Sequence, residues 1–287
     1  MLYIKMLPTP AYEAGHTSTG DHFPAELPFR QFDPTSDIPK NAFMNIYGAR
    51  RQGKTQQVIE MMRAFHAQKR FTHYILVSQT LSGYDQLIPP NYQYRSLEHI
   101  PTIIERSIDV AEFNSKQEKP EDMVRCAVCL VLDDVVGDAS ELRKSGGILQ
   151  KLAVQGRHIH KDDKHPENEF TTILISQRAS GLIPPVIRNN SDIVMWSATS
   201  NKRDRITAVE ESLSLKSDRQ GMRDALEVFD TVTLSKPYRF LVVATHIASR
   251  RAHTDYVFYS DSNPDGAHPK LFGTEDDWRS RKKRIHF

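Results

Sequence analysis

The chain has 287 residues, 39% hydrophobic and 26% charged, and its 38 Lys and Arg against 36 Asp and Glu leave a formal net charge of +2. With a mean hydropathy of −0.52, this is the make-up of a globular α/β-sized chain, enough for one or two cores at roughly 150 residues per domain. It excludes collagenous and wholly disordered chains, a membrane span of about 18 apolar residues, and an overall basic field, so a polyanion partner must be met by local charge. The opening MLYIKMLPTPAYE lacks the apolar stretch of a signal peptide. Two cysteines rule out a disulfide-built scaffold and suit a reducing, intracellular compartment.

Six of the sixteen prolines fall within the first forty residues, which show no sustained periodicity and read as an irregular arm, 1–40. Regular structure begins at Asn41. Phe43–Tyr47 is a strand-sized apolar run, and Val58, Met61, Met62 and Phe65 recur at helical spacing over about 54–68. Phe71–Gln79 is a second strand. The spacing predicts a helix over 97–113, with Pro101 near its start. Cys126–Asp134 is a nearly continuous apolar strand, of the kind buried on both faces of a parallel sheet. A helix over 140–156, weakened by Gly146 and Gly147, precedes strands Thr171–Gln177 and Asp192–Ala198. Helix-prone sequence from 202 to 229 leads to a last strand pair, Arg239–Thr245 and Asp255–Ser260. The regular unit thus spans 41–260, and 261–287 reads as a polar, basic, mobile tail. Alternating strands and helices predict an α/β three-layer sandwich with a mostly parallel central sheet.

The chemistry starts where the first strand ends. Gly48-Ala49-Arg50-Arg51-Gln52-Gly53-Lys54-Thr55 fits G-x-x-x-x-G-K-[ST] at every fixed position, between a predicted strand and a predicted helix. The glycines let successive backbone N–H groups turn inward on phosphate oxygens. Lys54 is placed to reach the β- and γ-phosphates, and the Thr55 hydroxyl to bind Mg²⁺ at the helix N-terminus. A glycine turn with a surface lysine is the bland alternative. Leu130-Val131-Leu132-Asp133-Asp134 runs three apolar residues into paired acids. Asp133 is expected to hold Mg²⁺ through water, and Asp134, facing the other way, to polarise the attacking water; an acidic turn after a core strand would look the same. One complete strand, 71–79, lies between loop and acids, which favours the ATPases with an added catalytic acid over kinases and GTPases. Gln177, at the end of the following strand, occupies a sensor position between phosphate and water, or is simply a polar strand end.

A ring ATPase needs a cation that reaches the γ-phosphate of the neighbouring subunit. Arg157, in Gly156-Arg157-His158, and Arg188, in Ile187-Arg188-Asn189-Asn190, are the candidates. Either could equally be a surface ion-pair partner, and spacing alone does not choose.

Taken together, GARRQGKT, LVLDD, LAVQGRH, TTILISQ and LIPPVIRNNSDIVMW resemble the genome-packaging ATPases of large DNA viruses, the poxvirus-type branch of the FtsK–HerA superfamily. The resemblance covers roughly residues 43–200. Its loop and acids are generic to P-loop ATPases, whereas the GRH and IRNN segments are more specific. It implies a RecA/FtsK-like fold, ATP and Mg²⁺, and a homo-oligomeric ring that drives double-stranded DNA into a preformed capsid, with a capsid or portal-vertex protein as partner. It also implies work at virion assembly sites in host cytoplasm or nucleus, with association with the virion as a further expectation. Asp134 departs from the superfamily, where many members carry Glu, and a shorter acid positions the water differently. Contacts to moving DNA should go to phosphates. Lys202, Arg203 and Arg205, and the tail cluster Arg279, Arg281, Lys282, Lys283 and Arg284, are the candidates; the cluster reads equally as a nuclear-import stretch or a solvated basic end.

Three signals are declined. Cys126 and Cys129 match C-x-x-C, but residues three apart on a strand face opposite ways and no further ligands follow. His158 belongs to the GRH element, and His160 and His165 read as solvated loop residues. Two other functions stay open: a nucleotide-dependent DNA-associated switch or accessory ATPase, and a nucleotide kinase, although no Arg-rich lid is evident for the latter.

Overall fold

The computed structural model describes residues 27–80, 83–84, 86–135, 146–213, 219–248, 253–262 and 273–279. Eight strands form one sheet: β1 (Phe43–Tyr47), β2 (His73–Ser78), β3 (Gln93–Tyr94), β4 (Ala127–Asp133), β5 (Glu169–Ser176), β6 (Ile193–Ser197), β7 (Arg239–Ala244) and β8 (Val257–Asp261). Their order is β3-β2-β4-β5-β1-β6-β7-β8. The first six are parallel, and β7 and β8 continue the sheet antiparallel. Helices flank it, as the alternating sequence predicts, giving the α/β sandwich. The two-residue β3 is too short to leave a periodic signal in sequence.

The central strands are apolar on both faces because both faces are covered. Every side chain from Cys126 to Leu132 is buried, and so is all of β1. Helix α1 (Lys54–Ala67) turns Val58, Ile59, Met61, Met62 and Phe65 onto the sheet. The predicted 97–113 helix is a 3₁₀ turn, Leu97–His99, followed by an α-helix, Ile100–Ser115. The helix after the acids is described over Ile148–Gln155; the start of the predicted 140–156 span lies outside the described residues. The 202–229 stretch resolves into Lys202–Ala208, a π-helical turn Val209–Leu213, and Arg219–Leu234.

Three expectations are corrected. The strand that separates phosphate loop and acids in space is β5, which pairs with both β1 and β4; the sequence-adjacent β2 lies beyond β4. Part of the tail is folded: a short helix, Glu275–Arg279, is held by buried Asp277, which accepts from Asn91 Nδ2 at 2.9 Å and from Thr274 N at 2.9 Å. His160 is not solvated. It is buried with Asp163, whose Oδ2 lies 3.0 Å from His160 Nδ1, and burial lowers its pKa. The arm's described end also packs onto its own chain. Phe29, Phe32 and Ile38 are buried, Phe32 N donates to Tyr259 O at 2.8 Å, and Arg30 stacks over the Phe258 ring at 4.4 Å. Arg281, Lys282, Lys283 and Arg284 lie outside the described residues.

Candidate functional site

β1 delivers the chain to the C-terminal edge of the sheet, where the phosphate loop closes over it. Gly48 N donates to Ser176 O at 3.2 Å, so the loop departs hydrogen-bonded to β5. Gly48 has no room for a side chain: a Cβ there would come 2.1 Å from Ser197 Oγ and 3.0 Å from Ser197 Cβ. Gly53 is the N-cap of α1 in the left-handed region, at φ 83°, which glycine adopts with no steric cost. No side chain caps that helix end. Its first-turn N–H groups therefore face the loop's concavity, with the positive end of the helix dipole behind them.

A cleft of about 420 Å³ opens here, lined by Arg50, Arg51, Lys54, Thr55, Thr80, Asp133, Asp134 and Gln177. The volume suits a nucleotide-sized ligand. Lys54 Nζ donates to Ala49 O at 2.8 Å; burial lowers its pKa, and the nearby Asp133 and Asp134 carboxylates pull it back up. Asp133 ends β4 and faces α1, with Oδ2 accepting from Thr55 Oγ1 at 3.2 Å. Burial raises the Asp133 pKa, opposed by its two hydroxyl donors and the Lys54 charge. Asp134 follows at φ 52°, a left-handed position that turns its side chain to the other wall. There Gln177 Nε2 donates to Asp134 Oδ1 at 3.4 Å. The glycine loop, both acids and Gln177 thus share one cleft.

Mg²⁺ suits this donor set. A hard cation prefers oxygen ligands, and the Thr55 hydroxyl and the buried Asp133 carboxylate already meet. Thr55 would hold the ion directly and Asp133 through water, and the bound ion would offset phosphate charge. Among the described residues, no group of three or more His, Cys, Asp or Glu could hold a different metal. Cys126 and Cys129 are free and buried; burial raises both thiol pKa values, that of Cys126 to about 12.

One residue of the site left no motif. Tyr84 is fully buried, and its hydroxyl donates to the same Asp133 Oδ2 at 3.0 Å. It lies in the turn after β2, beside the acids only because β2 pairs with β4. Tyr84→Phe keeps the ring and removes the donor. It is expected to raise the Mg²⁺ requirement of hydrolysis by about tenfold or more, since hydrogen bonds to charged groups are worth about 1.5–3 kcal/mol, while nucleotide binding without Mg²⁺ holds. A Mg²⁺ titration checks this, and an unchanged requirement would reduce Tyr84 to packing.

The candidate arginines separate. Arg188 is committed within its own chain: Nε and Nη2 bond the two Glu211 carboxylate oxygens at 2.7 and 2.5 Å, and Nη1 donates to Ile183 O at 2.5 Å. Arg157 is exposed at the end of Ile148–Gln155, and its charge acts on Asp192. Asp192 accepts from Phe43 N, where β1 begins. The cleft follows the other end of β1, on the order of 15 Å away at about 3.3 Å per residue, so Arg157 does not serve its own chain's cleft. Among the basic candidates beyond β6, Lys202 and Arg203 are exposed, whereas Arg205 is paired with Asp230. Arg279 is paired with Glu275.

No protein-family model matches the chain, and no curated protein matches it in sequence. Solved structures do match its fold. The genome packaging NTPase B204 from Sulfolobus turreted icosahedral virus 2, in complex with sulfate, aligns at TM-score 0.52 and 11% identity, over 80% of this chain and all of that one. The same NTPase in complex with AMPPCP aligns at TM-score 0.50 and 11% identity, over 81% of this chain and all of that one. EssC (ATPases 2 and 3) from Geobacillus thermodenitrificans is a more distant likeness, at TM-score 0.41 and 13% identity over 69% of this chain and 45% of its own. The sheet order, the glycine loop at the end of β1 and the shared cleft give this chain the fold of these packaging NTPases, an α/β sandwich with a P-loop at the edge of its sheet.

Proposed function

We propose that the protein is a Mg²⁺-dependent ATPase that moves double-stranded DNA, packaging a viral genome into a capsid. The carrying observation is that Asp133, Asp134 and Gln177 face the phosphate loop across one cleft. That arrangement supplies charge neutralisation, a base for water and a phosphate sensor, with no separate pocket for a phosphoryl acceptor required. Lys54 and the α1 N-terminus bind the phosphates, and Asp134 takes the proton of the attacking water.

Work as a homo-oligomeric ring is supported by Arg157, an exposed cation remote from its own cleft and available to a neighbour's. Packaging is supported by the fold likeness to B204, whose whole length aligns with this chain, and by the GRH and IRNN segments of the sequence. The exposed Lys202 and Arg203 follow β6, at the same edge of the sheet as the cleft, where a duplex can couple to hydrolysis. A capsid or portal-vertex protein, and virion assembly sites inside the host cell, complete the reading. Among the described residues no helix is long and apolar enough to cross a membrane.

Steady-state ATP hydrolysis with and without long double-stranded DNA tests the proposal. Stimulation is expected to be independent of sequence and to fade as salt rises, because phosphate contacts release counterions. Hydrolysis indifferent to DNA would remove the translocase reading in favour of a switch or a kinase.

A further inference from the structure

Tyr238 is out of place as a structural residue. It stands just ahead of β7 at φ 60°, in the left-handed region where Gly, Asn and Asp are at home and a bulky aromatic is strained. Its side chain is not core either, since the residue is 37% exposed. Turn chemistry would select glycine here, and burial would not select tyrosine. Yet the backbone is fixed firmly: Ser262 N and Ser262 Oγ both donate to Tyr238 O, at 3.1 and 3.4 Å. A strained, exposed and well-held aromatic calls for a functional account.

Its location supplies one. The ring borders the phosphate loop, where a Cβ placed on Gly53 would come 3.2 Å from Tyr238 Cδ1 and 2.5 Å from Ser262 Oγ. Within the sheet, the acids and Gln177 end β4 and β5, on one side of β1. Tyr238 and Ser262 flank β7 and β8, on the other side. A nucleoside triphosphate carries its terminal phosphate and its base at opposite ends. With the terminal phosphate directed at Asp133, Asp134 and Gln177, the base passes the N-terminus of α1 toward β7 and β8.

We infer that Tyr238 is the platform on which the base of the bound nucleotide stacks, its ring aimed by the left-handed backbone and admitted by the missing side chain of Gly53. This rests on the nucleotide reading of the cleft. Stacking uses the π-face that every base has, so the platform adds affinity with little discrimination among purines. It also gives the strained residue beside the loop a role.

The test compares two ligands on the full-length protein by equilibrium binding. Tyr238→Ala is expected to bind ATP about tenfold more weakly, within the range of base–aromatic stacking, and inorganic tripolyphosphate as well as the parent chain does. Tyr238→Trp should retain ATP affinity, with fluorescence that responds to ATP but not to tripolyphosphate. Tyr238→Asn, better suited to a positive φ, should match or exceed the parent's Tm while losing ATP affinity as alanine does. Equal ATP affinity in Tyr238→Ala, or parallel loss of ATP and tripolyphosphate, overturns the platform alone. Failure of the parent chain to bind either ligand would take down the nucleotide reading and the platform with it.

Discussion

Arg157→Ala is expected to lower ATP hydrolysis by about 10³-fold or more, the scale of an arginine supplied in trans, while ATP binding stays at the parent level. The residue is exposed and one strand length from its own cleft, so its loss should disturb neither the fold nor the phosphate loop. In a ring, an Arg157→Ala subunit still offers an intact cleft, and a Lys54→Ala subunit still offers Arg157. Mixing the two inactive proteins should therefore restore partial activity, which neither shows alone. Arg188→Ala should behave differently. Removing it leaves Glu211 without its partner and the Ile183 carbonyl without its donor, so the loss is expected in Tm before turnover. Reduced ATP affinity in Arg157→Ala, or mixing without recovery, would refute the trans role.

The contrast between these arginines shows what a sequence can carry. Both lie at the ends of short helical segments, and both fit a search for a cation. Only the packed structure separates them, because Glu211 and Ile183 reach Arg188 from elsewhere in the chain. The phosphate loop was legible for the opposite reason: its chemistry is built from eight consecutive residues, with the strand before and the helix after encoded beside them. The acids were legible because seven buried apolar residues, Cys126 to Leu132, running into two aspartates leave little else for a parallel strand to be.

What escaped depends on which strands are neighbours. Sequence order places β2 between loop and acids, but hydrogen bonding places β5 there, and it is β5 that sets Gln177 opposite Asp134. Tyr84 reaches Asp133 because β2 pairs with β4, and Tyr238 and Ser262 reach Gly53 because β7 and β8 extend the sheet beyond β6. None of these carries a local signal. His160 was misread as solvated because it sits in a run of charged residues; the partners that bury it, Asp163, Asn114 and Asn168, join in one network only when the loop folds back on β4.

Asp134→Asn is expected to cut hydrolysis by about 10²–10⁴-fold, the usual worth of a positioned general base, and to leave ATP and Mg²⁺ binding intact. The substitution is close to isosteric, and asparagine tolerates the left-handed backbone at φ 52° as well as aspartate does. Its effect is therefore chemical: the amide can still meet Gln177 but cannot take a proton from water. Asp133→Asn removes a charge from the other wall, where Thr55 and Tyr84 converge, and should weaken Mg²⁺-dependent ATP binding as well as turnover. Measuring binding and single-turnover hydrolysis side by side separates the two acids. Asp134→Glu keeps the carboxylate and adds reach, but places a residue less tolerant of positive φ on that turn. Partial retention of hydrolysis in Asp134→Glu with loss in Asp134→Asn would assign the proton to this carboxylate. If Asp134→Asn turned over ATP at the parent rate, the base would have to lie elsewhere in the cleft, and the division of labour between the paired acids would fail.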